Sequence, residues 1–239
     1  MQQSNHIVSA FDKELRQLAA RIAEMGGLAE EQLGQAIDAL QNRDDALCEA
    51  VIASDKQVDA MEVEIEQSAV QIIALRQPMA DDLRAVIAAL KIASALERIG
   101  DLAKNIAKRA RVLNQHPHQR VIGAIAGMGQ QVRILMAEAL NAYTTGDTDR
   151  AVAVWKRDIE IDELHNSIFH QLIAHMSEDN GQVELGSQLL FVVKNLERIG
   201  DHTTFVAEMT YFVVEGHPLN DERPKSDVSR GLISKDAPN

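Results

Sequence analysis

The sequence predicts an all-α protein built from two tandem three-helix bundles that are related by an internal repeat. Apolar residues recur every three to four positions over long stretches, which is the pattern of amphipathic helices. Aromatic residues make up only 3% of the chain, a composition that favours long helices over sheets. The hexapeptide Leu-Glu-Arg-Ile-Gly-Asp occurs at 96–101 and again at 196–201, and this duplication predicts two similar halves.

Three helices are predicted in the first half. The first covers about 11–41, and a polar turn follows it. Asp44 or Asp45 caps the second helix, which continues until Pro78 ends it. The third helix covers about 80–116 and carries two apolar stripes, so we expect it to pack on more than one neighbour.

The second half repeats this plan with helices at about 121–143, 148–176 and 183–214. An offset of 103 residues relates the two halves as far as the second turn of each, and the offset is 100 thereafter. These patterns define a first bundle (1–116), a second bundle (117–217) and a tail (218–239). The tail is rich in Asp, Ser, Pro and Lys, a composition that predicts disorder.

Composition limits the classes of function. The net charge of −12 argues against nucleic acid or an anionic membrane surface as the main partner. A single cysteine excludes a disulfide framework, and we find neither a signal peptide nor a run of eighteen apolar residues. We therefore expect a cytoplasmic protein that is not integral to the membrane.

Acidic residues spaced four apart stand out because the repeat duplicates them. A helix places residues at this spacing on one face, where two like charges cost roughly 0.2–0.5 kcal/mol. Other pairs with this spacing lack a counterpart in the other half and are interpreted as solvated helix faces. The duplicated pairs are Asp55/Asp59, Glu97/Asp101, Asp158/Asp162 and Glu197/Asp201.

The positions of these pairs along the helices indicate that they meet. Asp59 and Glu97 each lie 19 residues from Pro78, and Asp55 and Asp101 each lie 23 residues from it. Helices joined by a short loop run antiparallel, so equal counts predict equal heights along the hairpin. The second half has the same symmetry about the turn at 177–181.

Facing carboxylates repel one another unless a cation lies between them. Their oxygens suit a hard divalent or trivalent metal, whereas matched Cys or His ligands and the Glu-x-x-His motif of di-iron bundles are missing. We predict metal sites for Mg, Mn, Fe or Zn, with charge pairing by Arg98 and Lys104 as the alternative.

Three further residues are possible additional ligands. Glu62 and Asn105 extend the rows of carboxylates in the first half, and His165 takes the place of Glu62 in the second. Lys194 lies one turn before Glu197, where an ammonium repels a bound cation. The sequence therefore predicts tighter metal binding in the first half.

The segments that carry the repeat resemble the PhoU family: LERIGDLAKNIAKR, NLERIGDHTTFVAEMTYFVVEG and the opening FDKELRQLAARIAEMG. The resemblance covers about 11–216. It implies two three-helix bundles, multinuclear metal sites on the eight paired carboxylates, and a homodimer. It also implies a cytoplasmic regulator that links the ATPase of a phosphate transporter to a sensor histidine kinase and represses phosphate-starvation genes.

The sequence is also compatible with two other classes of protein. One is a carboxylate-bridged di-metal hydrolase or oxidase, which would need an open coordination position and a poised acid or base. We find no nucleophile–base pair in the sequence, so we expect a protein that is not an enzyme. The other is a purely structural bundle whose acids are solvated.

Overall fold

The computed structural model describes residues 2–117, 119–178 and 183–219, with side chains from residue 11 onward except that of Glu178. Within these ranges the backbone forms six α-helices and no strand, which confirms the predicted fold class. The first helix begins nearer the N-terminus than its apolar pattern indicates. The helices are α1 (Gln2–Asn42), α2 (Asp45–Arg76), α3 (Ala80–Leu113), α4 (Ile122–Thr145), α5 (Thr148–Glu178) and α6 (Val183–Glu215).

Matched aspartates begin the second helix of each half. Asp44 caps α2, because its Oδ1 accepts a hydrogen bond from the backbone N–H of Leu47 at 2.9 Å. Asp147 does the same for α5 by accepting from the N–H of Arg150 at 2.9 Å. The offset of 103 residues predicted from the sequence thus relates two real helix caps.

The loop between α2 and α3 is short and ends α2 abruptly. Gln77 adopts a left-handed conformation with φ of 49°, and its N–H bonds the Ile73 carbonyl at 3.1 Å. Pro78 follows, and α3 begins at Ala80, where the sequence predicted it. The corresponding turn at 177–181 lies outside the described residues from 179 onward, as does the predicted disordered tail (218–239) from 220 onward.

The helices of each half pack on one another, and the two halves also pack together. α2 packs on α1 and α3, and α5 packs on α4 and α6, while α3 lies along α6 and α1 lies along α4. One buried apolar core continues through both bundles and includes Ile22, Ile99, Met128 and Ile199. The faces of α2 and α5 that bear the paired carboxylates therefore meet α3 and α6 within a shared scaffold.

None of the described helices combines the length and the apolar character needed to cross a bilayer.

Candidate functional site

The first acidic cluster lies between α2 and α3 and is organised around a lysine. We define it as Asp55, Asp59, Glu97 and Asp101, with Lys104 bound between Asp55 and Asp101 at one end. The ammonium Nζ of Lys104 lies 2.5 Å from Asp55 Oδ2 and 2.5 Å from Asp101 Oδ1. Asp55 and Asp101 therefore face one another at equal height, as their equal distances from Pro78 predict.

Burial differs among these carboxylates. Asp55 is buried, with 5% of its surface exposed, whereas Asp59 lies one turn further along α2 and is exposed. The Glu97 side chain is 16% exposed and Asp101 is half-buried. A buried carboxylate needs a cation or several hydrogen-bond donors, and Lys104 supplies the cation to Asp55.

The pKa values are raised at two carboxylates of the first cluster and lowered at Asp101, which binds Lys104. Burial and then the charge of Asp101 raise the pKa of Glu97 above its usual value. Asp59 is exposed, but neighbouring protein atoms still displace some of its water, and this desolvation followed by the charge of Asp55 raises its pKa. The hydrogen bond from Lys104 lowers the pKa of Asp101, because the ammonium stabilises its carboxylate. Burial alone would lower the pKa of Lys104, but its bonds to Asp101 and Asp55 raise it overall.

The additional candidates of the first half lie beside this cluster. Burial and then Glu66 raise the pKa of Glu62, against which a hydrogen bond with Ser94 acts in the opposite direction. Glu62 and Ser94 each lie 16 residues from Pro78, and they face one another across the hairpin. Asn105 is half-buried one turn beyond Asp101 on α3.

The second acidic cluster lies between α5 and α6, and we define it as Asp158, Asp162, Glu197 and Asp201. Asp158 is 2% exposed, and its Oδ1 lies 3.1 Å from the hydroxyl Oγ1 of Thr204. Thr204 thus occupies the place that Lys104 has in the first half. The other three carboxylates are half-buried.

A lysine also reaches the second cluster, but at its rim. Lys194 Nζ lies 2.7 Å from Glu197 Oε2, and the lysine side chain is 53% exposed. The ammonium that the sequence places one turn before Glu197 therefore pairs with it. His165 is half-buried, and its Nδ1 lies 3.3 Å from Asn166 Oδ1 while its ring stacks on Phe169.

The distances between the carboxylates determine whether they can bind a metal ion together. In the described part of the chain, no group of three or more His, Cys, Asp and Glu side chains converges closely enough to ligate an ion. In the first cluster, two carboxylate oxygens do converge on one point, at a distance typical of hard-cation ligands, and the Lys104 ammonium lies at that point. Carboxylate oxygens are suitable ligands for a hard cation, but the Lys104 ammonium already occupies the point where these two oxygens meet.

Sequence reasoning missed two polar residues near these clusters. Gln32 of α1 is buried, and its Nε2 donates to Ser54 Oγ at 3.0 Å beside Asp55. Thr204 was also overlooked. A signal for both existed, because each polar residue is spaced three or four positions from apolar or small residues of its helix: Gln32 from Leu28 and Ala36, and Thr204 from Gly200 and Ala207.

The comparisons with known proteins agree with the repeat. The PhoU domain family matches residues 22–110 and 125–210, one match in each half. The chain belongs to the PhoU family. The curated relatives that it matches include a phosphate-specific transport system accessory protein PhoU homolog of Caulobacter vibrioides, which is 46% identical over 94% of this chain and 98% of the relative. The homolog of Zymomonas mobilis is 42% identical over 93% of this chain and 94% of its own length.

Solved PhoU structures have the same fold. The crystal structure of PhoU from Pseudomonas aeruginosa superposes with a TM-score of 0.84 and 35% identity, covering 87% of this chain and 100% of that one. The phosphate transport system regulatory protein PhoU from Streptococcus pneumoniae gives a TM-score of 0.80 at 26% identity, with 88% and 99% covered. The PhoU family consists of non-enzymatic accessory and regulatory proteins, so the paired carboxylates do not belong to a hydrolase or an oxidase.

Proposed function

We propose that this chain is the accessory protein of a phosphate-specific transport system and that it acts in the cytoplasm as a negative regulator. The observation that carries the proposal is the 46% identity over nearly the full length of a relative with that name. The PhoU domain matches twice, once in each half of the chain, which supports the same role.

In this role the chain is an adaptor. It binds the ATPase subunit of the phosphate transporter and a sensor histidine kinase, and it represses phosphate-starvation genes when phosphate is ample. The net charge of −12 supports regulation through protein partners rather than through direct binding to nucleic acid. We also propose that the chain forms a homodimer, which would present two copies of each partner-binding surface.

Gene deletion tests the regulatory role. In phosphate-rich medium, a deletion strain that carries a reporter fused to a phosphate-starvation promoter should express the reporter strongly. Supplying the wild-type chain from a second locus should restore repression. Expression that is equally low in the parent and in the deletion strain would contradict the role.

Affinity purification tests the partners. A tagged chain, crosslinked in phosphate-rich cells, should recover the transporter ATPase and a sensor kinase, and a tagged unrelated acidic protein serves as the control. Light scattering of the purified chain should give the mass of a dimer. Recovery of neither partner, with the bait itself abundant, would refute the adaptor.

We further propose that the acidic clusters bind Mg²⁺, Mn²⁺, Fe or Zn²⁺. The support is the hard oxygen donor set and the raised pKa values of Asp59 and Glu97, which a bound cation would relieve. A ligand that binds only the folded state at 100 times its Kd stabilises by about 2.7 kcal/mol. For a chain of this size that corresponds to a shift of about 5–11 °C in Tm.

The measurement compares melting in chelator with melting after each metal is added. Asp201→Asn should reduce the shift, whereas the exposed Asp149→Asn on the same half serves as the control. Identical melting of the wild type with and without every metal would exclude a stabilising site.

A further inference from the structure

The Lys104 side chain is more buried than a typical surface lysine and contacts more than one carboxylate. Its side chain is 20% exposed, and its ammonium contacts one oxygen from each of two helices, Asp55 Oδ2 of α2 and Asp101 Oδ1 of α3. The second cation nearby is Arg98, whose guanidinium lies 3.7 Å from Asp101 Oδ2 and is largely exposed. Lys104 is therefore the cation that joins the two helices at this point.

The internal repeat provides a comparison within the same molecule. The residue that corresponds to Lys104 is Thr204, whose hydroxyl lies 3.1 Å from Asp158 Oδ1 and 2.9 Å from the Gly200 carbonyl. A threonine hydroxyl is neutral and short, so it leaves the charge of Asp158 in place. The same position of the repeat thus holds an ammonium in the first half and a neutral hydroxyl in the second.

We propose that Lys104 is a built-in cation that holds the first cluster, and that a metal ion binds there only when Lys104 leaves the point between Asp55 and Asp101. The inference rests on the proposed metal binding and specifies which side chain governs it. A metal cannot share that point with an ammonium, because both are cations and need the same two oxygens. Lys104 thus determines whether its own ammonium or a metal ion occupies the first cluster.

Lys104 reverses the lysine argument for tighter metal binding in the first half. That expectation considered Lys194, which lies at the exposed rim of the second cluster and contacts Glu197 alone. Lys104 contacts two carboxylates and is more deeply buried. An ammonium with less solvent around it opposes a second cation more strongly.

The decisive experiment replaces Lys104 by the residue that the second half uses. Asp158→Asn and Asp201→Asn together reduce binding at the second cluster, and Lys104→Thr is introduced into that background. Equilibrium dialysis against Mn²⁺ should show at least about tenfold tighter binding than the background itself, since one positive charge has been removed from the site. Lys104→Arg keeps the charge and should bind as weakly as the background.

Lys108 provides the matched control, since it is exposed one turn further along α3. Lys108→Thr removes the same charge from the chain but should change the affinity less than twofold, because solvent and salt screen it. Equal gains from Lys104→Thr and Lys108→Thr would overturn the inference. So would an unchanged affinity in Lys104→Thr while the wild-type chain binds Mn²⁺ at its second cluster.

Melting in chelator separates this inference from the proposed metal binding. Without metal, Lys104→Thr should melt lower than its parent, because Asp55 and Asp101 lose their cation, and Mn²⁺ should restore the Tm. Lys104→Gln provides a second neutral variant if the threonine chain folds poorly. Equal melting of parent and variants in chelator overturns the role of Lys104. Failure of every chain to bind any metal overturns the metal proposal instead, while the melting in chelator still decides the role of Lys104.

Discussion

Gly26 of α1 lies directly against the side chain of Leu140 of α4, with no room for a Cβ between them. The internal repeat duplicates this contact, because Gly129 of α4 lies against Ile37 of α1, where a Cβ would be 2.6 Å from Ile37 Cδ1. The same offset of 103 residues relates Gly26 to Gly129 and Ile37 to Leu140. The two bundles therefore meet through a contact that their repeat makes twice, with approximate two-fold symmetry.

Alanine substitutions at Gly26 and Gly27 should act in opposite directions. Both lie inside α1, but a Cβ at the exposed Gly27 would have nothing within 4 Å. Gly27→Ala should stabilise the protein by about 0.5–1 kcal/mol, because alanine loses less backbone entropy in a helix. Gly26→Ala should destabilise it by about 1–2 kcal/mol, since overpacking at Leu140 exceeds that gain. Denaturant unfolding measures both, and equal effects at the two glycines would contradict the close contact.

The second copy of the contact should respond in the same way. Gly129→Ala should destabilise the protein by about 1–2 kcal/mol through Ile37, while the exposed Gly127→Ala on the same helix should stabilise it. Unfolding of these two variants beside the α1 pair tests the symmetry. A stabilising Gly129→Ala would show that Ile37 moves aside freely.

Glu97→Gln should stabilise the metal-free protein at pH 7. Burial and Asp101 raise the folded-state pKa of Glu97, so its ionised form opposes folding at every pH above that pKa. Removing one like-charge pair spaced four apart contributes roughly 0.2–0.5 kcal/mol. The difference from wild type should disappear as the pH falls below about 4, where Glu97 is protonated in both folded and unfolded chains. A gain that persists at pH 3 would exclude this charge effect.

Asp101→Asn should have the opposite sign. Its pKa is lowered chiefly by the hydrogen bond from Lys104, so the carboxylate stabilises the fold above its unfolded-state pKa. That contribution is lost as the pH falls through the folded-state pKa. At pH 7 in chelator we expect a loss of about 1–2 kcal/mol, discounted because a third of the Asp101 side chain is exposed. Urea unfolding at pH 7 measures the loss, and a more stable Asp101→Asn chain would contradict the Lys104 bond.

Cys48 should be protected from thiol reagents in the folded protein. It is fully buried on α2, and burial, followed by the charge of Asp45, raises its pKa to about 11. Almost no thiolate is present at pH 8, so labelling should follow unfolding rather than direct attack. The reaction should become complete in guanidinium. Full labelling within minutes of the native chain would show that the thiol is accessible.

The two bundles should unfold together despite their repeat. Trp155 of α5 is the only tryptophan, is 4% exposed and donates from Nε1 to Glu208 Oε1 at 3.0 Å, so its fluorescence reports on the second bundle. Far-UV circular dichroism reports on all helices. Because the apolar core continues through both halves, the two transitions should have the same midpoint. Separate midpoints would show that the bundles are independent domains.

The sequence alone determined most of the helix boundaries and the height at which Asp55 meets Asp101. Helix caps such as Asp44 and helix ends such as Pro78 act over a few residues, so local chemistry is sufficient to place them. The constant rise of an α-helix then converts residue counts into heights, which is why Asp55 was correctly placed opposite Asp101.

Only the tertiary structure decided which cation these carboxylates meet and how the halves join. Lys104 lies three residues after Asp101, and a flexible lysine at that spacing can extend into solvent or turn inward. Packing of α2 against α3 brings Asp55 within its reach, and two carboxylates then bind the ammonium. The contact of Gly26 with Leu140 likewise depends on two helices distant in sequence. Such choices depend on the neighbours that folding brings together, and spacing along one helix carries no information about them.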